Sequence, residues 1–455
     1  MNHHHAISSL SLCLLIGLGA FASTALGQNN SEIFAEISGD PRAGSDGELV
    51  VAPGQTVQWN LPGDDTSIYR FSRVNIGAGA TLKIRANHPG MKEGRPLYFL
   101  VNGPVVIDGT LDLNGDRGHD CLDENHVAYH SVPGPGGYAG ARGQHHANGL
   151  VVTLETTGRG PGGGDHFTDP ARHAFGDQSR PAYGNIYLRP LVGGSGGGRG
   201  SRDWRANAAG GGAGGGAILI ASTDRITVNG IITARGGDGG DTAAGPGVEI
   251  RADLQGLCRN GRSSPGGGGS AGAIRLLAPT ISGQGQLNVD WSQMGNSEPD
   301  HRYRGSYGRT RIEANAHNHS ITAVPDYVLR RARPSPTGLQ APLKPRITVL
   351  SVDGVDVREN PDGDLGNPDV FFTNAAQAVV RYETENMPLG GEHYILVVPE
   401  EETYIWVDSL PRENVPLGIQ PDPNWAEDNT DQRARFVATV TFPPGHSQIF
   451  VWARW

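Results

Sequence analysis

The sequence has few of the residues that mark nucleic-acid-binding or membrane-spanning proteins. Lys and Arg number 37 against 47 Asp and Glu, which gives a net charge of −10. This acidic balance, with a pI of about 5.9, argues against a nucleic-acid partner. After the N-terminal region no stretch is apolar for the roughly 18 residues that a transmembrane helix needs, so no transmembrane span is expected.

Helical periodicity and high charge are also missing. Apolar residues do not recur at spacings of three and four over several turns, so no helix is expected beyond the N-terminal region. Only 18% of the residues are charged, which argues against general disorder. The chain therefore reads as a folded, strand-rich protein.

The N-terminal region reads as a signal peptide over residues 1–27. Leu10 to Ala22 is apolar, too short to span a bilayer and typical of a signal-peptide core. Ala25 and Gly27 are small residues suited to cleavage after Gly27. The segment before the apolar run holds three histidines and no Lys or Arg, for which an expression tag is the alternative reading. We expect a secreted or cell-envelope-associated protein.

Two cysteines follow this segment, Cys121 and Cys258. An even pair in an exported protein permits one disulfide. The prediction is a Cys121–Cys258 bond, and two free thiols are the alternative.

Glycine is abundant and unevenly distributed. The chain has 68 glycines, of which residues 134–270 hold 38 and residues 341–455 hold 7. A Pro- and Arg-rich stretch separates the two regimes. The expected organisation is a signal peptide over 1–27, a glycine-rich region over 28–325, a linker over 326–345 and a second domain over 346–455.

The glycine-rich region contains an imperfect repeat. LYFLVNGPVVIDGTLDLNG from Leu97 aligns with AILIASTDRITVNGIITARG from Ala217, so that Gly109 matches Gly230. AIRLLAPTISGQGQLNV from Ala273 is a third copy with Gly285 in the same role, and a fainter copy begins at Phe71. Alternating apolar residues indicate strands, and stacked copies bury their faces against one another. This predicts an all-β fold with a parallel β-helix or β-solenoid; an antiparallel sandwich or barrel is the alternative.

The glycine runs between the copies, such as GGSGGGRG and AAGGGAGGGA, allow two interpretations. They could be flexible loops. They could instead pack as polyproline-II segments, because glycine backbones can approach closely. Partial order is favoured, since most runs lead directly into a strand.

The C-terminal region, from residue 346 to 455, has short β-branched and aromatic segments such as RITVLSV, QAVVRYET and RFVATVTF. Their number suits an Ig-like β-sandwich without the cysteine pair of antibody domains.

These features together resemble glycine-rich bacterial surface and exported proteins of β-helix type with an appended Ig-like module. The similarity rests on GGGSGG-type runs that lead into AIxIxA strands and on the terminal segment RFVATVTFPPGHSQIFVWARW. It implies a location at or outside the cell envelope and a structural or binding role. It carries no catalytic motif.

Two clusters could bind a metal ion. The segment DRGHDCLDENH offers His119, Asp120, Asp123 and His126, whose side chains suit Zn²⁺ or another divalent ion. A solvated loop is the alternative there. The segment ENPDGDLGNPD offers Asp362, Asp364, Asn367 and Asp369, an oxygen-rich set that would suit Ca²⁺. An acidic turn is the alternative, so no cofactor is firmly implied beyond a possible Ca²⁺ ion.

The leading functional hypothesis is a surface or matrix protein that recognises glycan or protein, with extracellular polysaccharide or envelope proteins as partners. The alternative is a carbohydrate-active β-helix enzyme, a lyase or glycosidase, acting on acidic polysaccharide. Its candidate groups are Asp112, Asp116, Asp120, Asp123 and Arg117. Arg199, Arg202 and Arg205 with Trp204 form a basic-aromatic patch that could hold an acidic glycan or lie in a solvated loop. No catalytic residue is assigned.

Overall fold

The described chain is mainly β-strand, with two parallel sheets and one short antiparallel pair in its glycine-rich region and antiparallel sheets in its C-terminal region. The computed structural model describes residues 30–61, 67–86, 95–121, 129–143, 146–147, 150–151, 158–160, 164, 186–200, 208–241, 265–293, 305–337, 346–358, 369–371, 377–385, 387, 392–399, 419–424, 433–442 and 447–454. The expected signal peptide lies outside these ranges. Within them, no helix is long and apolar enough to cross a membrane.

The elements of the glycine-rich region are one helix, eighteen described strands and a short 3-10 helix at Asp326–Val328. They are α1 Asn30–Ser38, β1 Glu48–Val51, β2 Thr56–Leu61, β3 Ile68–Phe71, β4 Arg73–Ile76, β5 Thr81–Ala86, β6 Leu97–Val101, β7 Val105–Ile107, β8 Thr110–Asp112, β9 His146–Ala147, β10 Leu150–Val151, β11 Ala217–Ser222, β12 Arg225–Val228, β13 Ile231–Thr233, β14 Ala273–Gly283, β15 Gln286–Asn288, β16 Arg309–His319, β17 Thr322–Val324 and β18 Leu329–Ala332.

The parallel strands stack as successive turns of chain with three faces. The first face contains β3, β6, β11, the first half of β14, the first half of β16 and β18. The second face contains β1, β4, β7, β12 and the second halves of β14 and β16. The third face contains β2, β5, β8, β13, β15 and β17. Each turn of the stack therefore lies against the next one in sequence.

The register places the residues that the repeat alignment superimposes opposite one another. Ile107 pairs with Val228 on the second face, and Leu111 pairs with Ile232 on the third. These side chains are fully buried in one continuous apolar core. Burying an aliphatic side chain of this size contributes about 1.5–3 kcal/mol, so the stacked columns are the main source of stability in this region.

The repeated glycine lies at the bend between the second and third faces. At Gly230 an added Cβ would overlap the carbonyl oxygen of Gly109, and at Gly285 it would overlap that of Gly230. The glycine is therefore required by the close approach of one turn of the stack to the next.

Helix α1 was not expected from the sequence. Its Ile33 and Ile37 are buried against the outer side of the first face, where they meet side chains such as Leu219 and Leu277. A helix of nine residues is marginal in isolation. Packing on the sheet, which local periodicity does not show, therefore accounts for α1.

The stack continues past the expected boundary at residue 325. Leu329 of β18 pairs with Thr310 of β16, which adds a strand to the first face. The expected linker over 326–345 is thus partly incorporated in the fold. Leu329 packs against the apolar core, and the backbone of β18 forms hydrogen bonds with β16. Residues 338–345 lie outside the described ranges.

The described glycine runs are ordered and buried, and neighbouring runs hydrogen-bond to one another with a period of three. In the segment 210–216, successive backbone N–H groups donate to three different neighbours in turn. Positions 210, 213 and 216 donate to segment 113–119, positions 211 and 214 to segment 138–141, and positions 212 and 215 to segment 267–270. A period of three matches the three residues per turn of polyproline II. Of the two interpretations, polyproline-II packing therefore describes this segment. We name segment 210–216, together with the segments that hydrogen-bond to it, the glycine bundle.

The carbonyl groups of the same segment accept hydrogen bonds from further sides. Donors lie in segments 131–134, 194–197 and 237–240. The segment 210–216 is therefore surrounded by backbone, and a Cβ at Gly212 would overlap the carbonyl oxygen of Gly237. Such contact leaves room for glycine alone.

The C-terminal region consists of two antiparallel sheets. Its described strands are β19 Arg346–Val352, β20 Val355–Asp356, β21 Ala378–Glu385, β22 Glu392–Pro399, β23 Gln420–Pro421, β24 Arg433–Val440 and β25 Ser447–Arg454. One sheet has the order β20-β19-β21-β24-β23, and β22 pairs with β25. Ile395 of β22 shares a buried cluster with Val380 and Phe436 of the other sheet, so the two sheets enclose one core.

Candidate functional site

The carboxylates expected to serve an enzyme lie at the edge of the third face, where the chain enters the glycine bundle. Arg85 lies between two of them. Its Nη2 is 3.3 Å from Asp112 Oδ2 and its Nε is 2.9 Å from Asp116 Oδ1. Lys83 Nζ lies 3.7 Å from the same oxygen of Asp116. These carboxylates therefore connect adjacent turns of the stack through ion pairs.

Arg117 forms a second ion-pair cluster in the glycine bundle. Its Nη2 lies 2.9 Å from Asp120 Oδ1 and 2.5 Å from Asp241 Oδ2. Burial lowers the pKa of Arg117, but the charges of Asp120 and Asp241 outweigh this effect and the pKa is raised. Asp120 also accepts a hydrogen bond of 2.7 Å from the backbone N–H of Asp241. Asp120 thus links two segments of the bundle.

The first predicted metal cluster is only partly described. The carbonyl of His119 accepts a hydrogen bond from the Gly210 N–H, and Asp120 has the partners given above. Asp123 and His126 lie outside the described residues. Among the residues that the structure describes, no group of three His, Cys, Asp or Glu side chains is placed to hold a metal ion.

In the second predicted metal cluster, only Asp369 is described. Its carboxylate forms an ion pair with the Nε of Arg358. Asp362, Asp364 and Asn367 lie outside the described residues, so the Ca²⁺ hypothesis stays a prediction.

Cys121 is fully buried and disulfide-bonded. Its backbone N–H donates to the carbonyl of Asp241 at 2.8 Å, which places it beside the start of the segment that leads to Cys258. Cys258 itself lies outside the described residues, so its pairing with Cys121 stays a prediction.

Of the four residues in the basic-aromatic patch, the structure describes one, Arg199. Arg199 is buried rather than solvated, and burial lowers its pKa to about 9. Arg202, Trp204 and Arg205 lie outside the described residues.

The outer side of the first face carries an arginine column that sequence reasoning missed. The register places the outward residues of successive strands in line, and their character changes from apolar to cationic. The residues in order are Tyr98, Leu219, Arg275, Arg311 and Arg330. We name the last three, with the neighbouring Tyr187, the arginine face.

Glu313 is the buried counter-ion of this face. Its two carboxylate oxygens lie 3.2 Å from Nε and Nη2 of Arg275, and Arg311 Nε contacts the same carboxylate. Burial would raise the pKa of Glu313, but attraction to Arg275 and hydrogen bonds from Arg275 and Ser335 lower it. Glu313 is therefore held ionised between two buried arginines.

Hydrogen bonds from Arg275 and Thr337 hold two further chain segments together at this face. Arg275 donates to the carbonyls of Pro336 and Thr337 at 2.8 and 2.9 Å. Thr337 Oγ1 donates to Glu36 Oε2 of α1 at 2.9 Å. The network thus joins the first helix to the segment that follows β18.

The outer rim of the arginine face is accessible to solvent. The Tyr187 ring lies 5.3 Å from the guanidinium carbon of Arg311. Tyr187 is 55% exposed, and Arg330 is exposed on β18. Burial and then repulsion by Arg275 lower the pKa of the neighbouring Arg189. Among the described residues of this face, arginines therefore outnumber carboxylates.

Local sequence contained only part of this signal. In AIRLLA and RTRIEA the arginines alternate with buried apolar residues, which places them on the outer side of a strand. A single outward arginine is common on a strand, and only the stacking of β14, β16 and β18 brings the three arginines together.

Comparisons with protein-family models, curated proteins and solved structures found no match to this chain.

Proposed function

We propose that this chain is an exported surface or matrix protein that binds acidic polysaccharide at the arginine face. In this proposal the stacked parallel strands form a parallel β-helix, and the C-terminal sheets form an Ig-like module. The support for the module is the shared core of its two antiparallel sheets. The support for export is the signal-like segment over 1–27.

The observation that carries the binding proposal is the pair of exposed groups on this face, Arg330 on β18 and the ring of Tyr187 against Arg311. The buried Arg275 and Arg311 are engaged by Glu313 and add positive charge behind them. Guanidinium groups recognise carboxylates in a bidentate manner. An aromatic ring with one accessible side offers an apolar surface to a sugar ring. In a chain of net charge −10, an exposed arginine and an exposed aromatic ring on one face are a suitable surface for uronate or sulfate groups.

A non-catalytic role is favoured over the enzyme alternative by the state of the described carboxylates. Asp112, Asp116 and Asp120 are each engaged by an arginine. An acid or base for glycoside or uronate chemistry needs access to the substrate.

The test is binding of the full chain to polygalacturonate, with dextran as the neutral control polymer. We expect binding to polygalacturonate alone, weakening as salt is added. The double variant Y187A/R330A should lower the affinity by about tenfold or more, since a hydrogen bond to a charged group contributes about 1.5–3 kcal/mol. The matched control is R225A, which removes an exposed arginine of the second face.

Equal loss in Y187A/R330A and R225A would contradict the assignment to this face. Absence of polyuronate binding would overturn the proposal. Release of shortened or unsaturated polymer would instead support the enzyme alternative.

A further inference from the structure

Two histidines lie at the end of β16, at the last turn of the strand stack. His317 and His319 occupy alternate positions, so their side chains leave the strand on the same side. The register places them opposite Ile281 and Gly283 of β14. Strand β18 pairs only with Thr310 to Glu313, so within the described residues no strand covers this half of β16. In the described part of the chain, the pair is therefore on an edge that no further strand covers.

The two rings are in direct contact. Nδ1 of His317 lies 3.3 Å from Nε2 of His319, and Nε2 of His317 lies 3.1 Å from the carbonyl oxygen of Ala332. A carbonyl only accepts hydrogen bonds, so Nε2 of His317 carries the proton and its Nδ1 presents a lone pair. Nε2 of His319 then carries the proton that faces this lone pair. Nδ1 of His319 is buried and has no hydrogen-bond partner within the described part of the chain.

This arrangement fits the requirements of a metal ion that prefers imidazole. Two nitrogen ligands at about 2.0–2.1 Å from a tetrahedral ion are about 3.3–3.4 Å apart, which is the separation of the two ring nitrogens. Histidines that bind metals usually donate the other ring N–H to a carbonyl or carboxylate, as His317 does to Ala332. The pair therefore has both the ligand spacing and the supporting hydrogen bond.

The charges around the pair act in two directions. Burial, and then the charges of Arg331 and His317, lower the pKa of His319. A neutral imidazole is the form that binds a metal. The positive charge of Arg331 also opposes a cation, which favours the ion that binds imidazole most strongly. In the order of divalent ions this is Cu²⁺, ahead of Zn²⁺.

We propose that His317 and His319 form a two-histidine site for a divalent transition-metal ion, Cu²⁺ before Zn²⁺. On binding, the ion takes the lone pair of His317 Nδ1 and replaces the proton on Nε2 of His319. That proton moves to Nδ1 of the same ring. Solvent completes the coordination. The site is separate from the arginine face and does not depend on the proposed glycan binding.

The test uses the full chain with His3, His4 and His5 replaced by glutamine, so that the N-terminal histidines do not contribute. Cu²⁺ and Zn²⁺ are titrated by calorimetry, and the Cu²⁺ complex is examined by electron paramagnetic resonance. We expect one bound Cu²⁺ with hyperfine splitting from two nitrogens. The variants H317Q and H319Q should each weaken binding by at least about tenfold, the loss typical even of outer-shell partners.

The matched control is H119Q, which alters the metal cluster predicted from the sequence and leaves the edge of β16 intact. Unchanged affinity in H119Q supports the proposal. Loss in H119Q with full affinity in H317Q and H319Q would overturn it and place the ion in the other cluster. A Cu²⁺ spectrum with oxygen donors alone would also overturn it, and this measurement does not depend on the folding of any variant.

Discussion

At the scale of single residues, Glu313 has the most demanding environment among the described acids. Its carboxylate is completely buried and lies between Arg275 and Arg311. Removing one member of a buried ion pair leaves an uncompensated charge, which costs about 3–5 kcal/mol. The outer side of the first face therefore depends on this one carboxylate for charge balance.

The first prediction concerns the variant E313Q. We expect it to lower the free energy of unfolding by about 3–5 kcal/mol, because the two arginines stay buried without their counter-ion. Chemical denaturation measures this change, and E48Q, at the exposed end of the stack, is the matched control. A change of less than about 0.5 kcal/mol, which is typical of a surface substitution, would contradict this role.

The pH dependence follows from the same residue. The pKa of Glu313 in the folded chain is lowered from its ordinary 4.5, so the unfolded chain binds the proton more readily. Its contribution to stability is therefore complete above about pH 4.5 and is lost as the pH falls through the folded-state value. Unfolding free energies between about pH 7 and pH 3 should fall more steeply for the wild type than for E313Q. Parallel curves would show that Glu313 does not supply this dependence.

At the scale of elements, the glycine bundle is held by backbone hydrogen bonds rather than by side chains. Segment 210–216 exchanges these bonds with neighbours on several sides. Its order therefore depends on the absence of Cβ atoms at its closest contacts.

This dependence predicts different effects for neighbouring glycines. In G212A the new Cβ would overlap the carbonyl oxygen of Gly237, whereas in G210A the nearest atom, the carbonyl oxygen of Ala141, would lie 3.0 Å away. We expect G212A to lower the free energy of unfolding by about 1–3 kcal/mol or more. The control G210A should change it by less than about 1 kcal/mol. Denaturant titration of both variants gives the comparison. Equal stabilities would contradict the prediction and show that the backbone of the bundle can shift to accommodate a Cβ atom.

At the scale of the whole molecule, the long insertions leave the stack at one corner. They follow β8, β13 and β15, which are neighbours on the third face. Segments that are far apart in sequence therefore meet in the glycine bundle, as Asp120 and Asp241 do.

This geometry bears on the predicted Cys121–Cys258 disulfide. Cys121 lies next to Asp241, from which the chain continues towards Cys258. Closing so long a loop contributes about 4–5 kcal/mol in the chain-entropy model. We expect no free thiol from these two residues in denatured, unreduced protein and a lower melting temperature in C258S. A free thiol at Cys258 would exclude the pairing.

The sequence by itself determined the features that depend on local order. Alternation of apolar residues set the strands, and the spacing of Gly109, Gly230 and Gly285 set the repeat that places Leu111 opposite Ile232. The glycine runs indicated close backbone packing as one of two alternatives. These features could be predicted because the alternation of side chains along a strand and the conformational freedom of glycine depend only on residues close in sequence.

Only the tertiary structure decided what covers the outer surfaces. Helix α1 forms because Ile33 and Ile37 find the first face, and Arg275 acquires Glu313 from the next turn of the stack. The histidine pair stands at an edge because β18 ends its pairing before His317. Such outcomes depend on which side chains come into contact across turns of the stack, and the local sequence pattern does not predict these contacts.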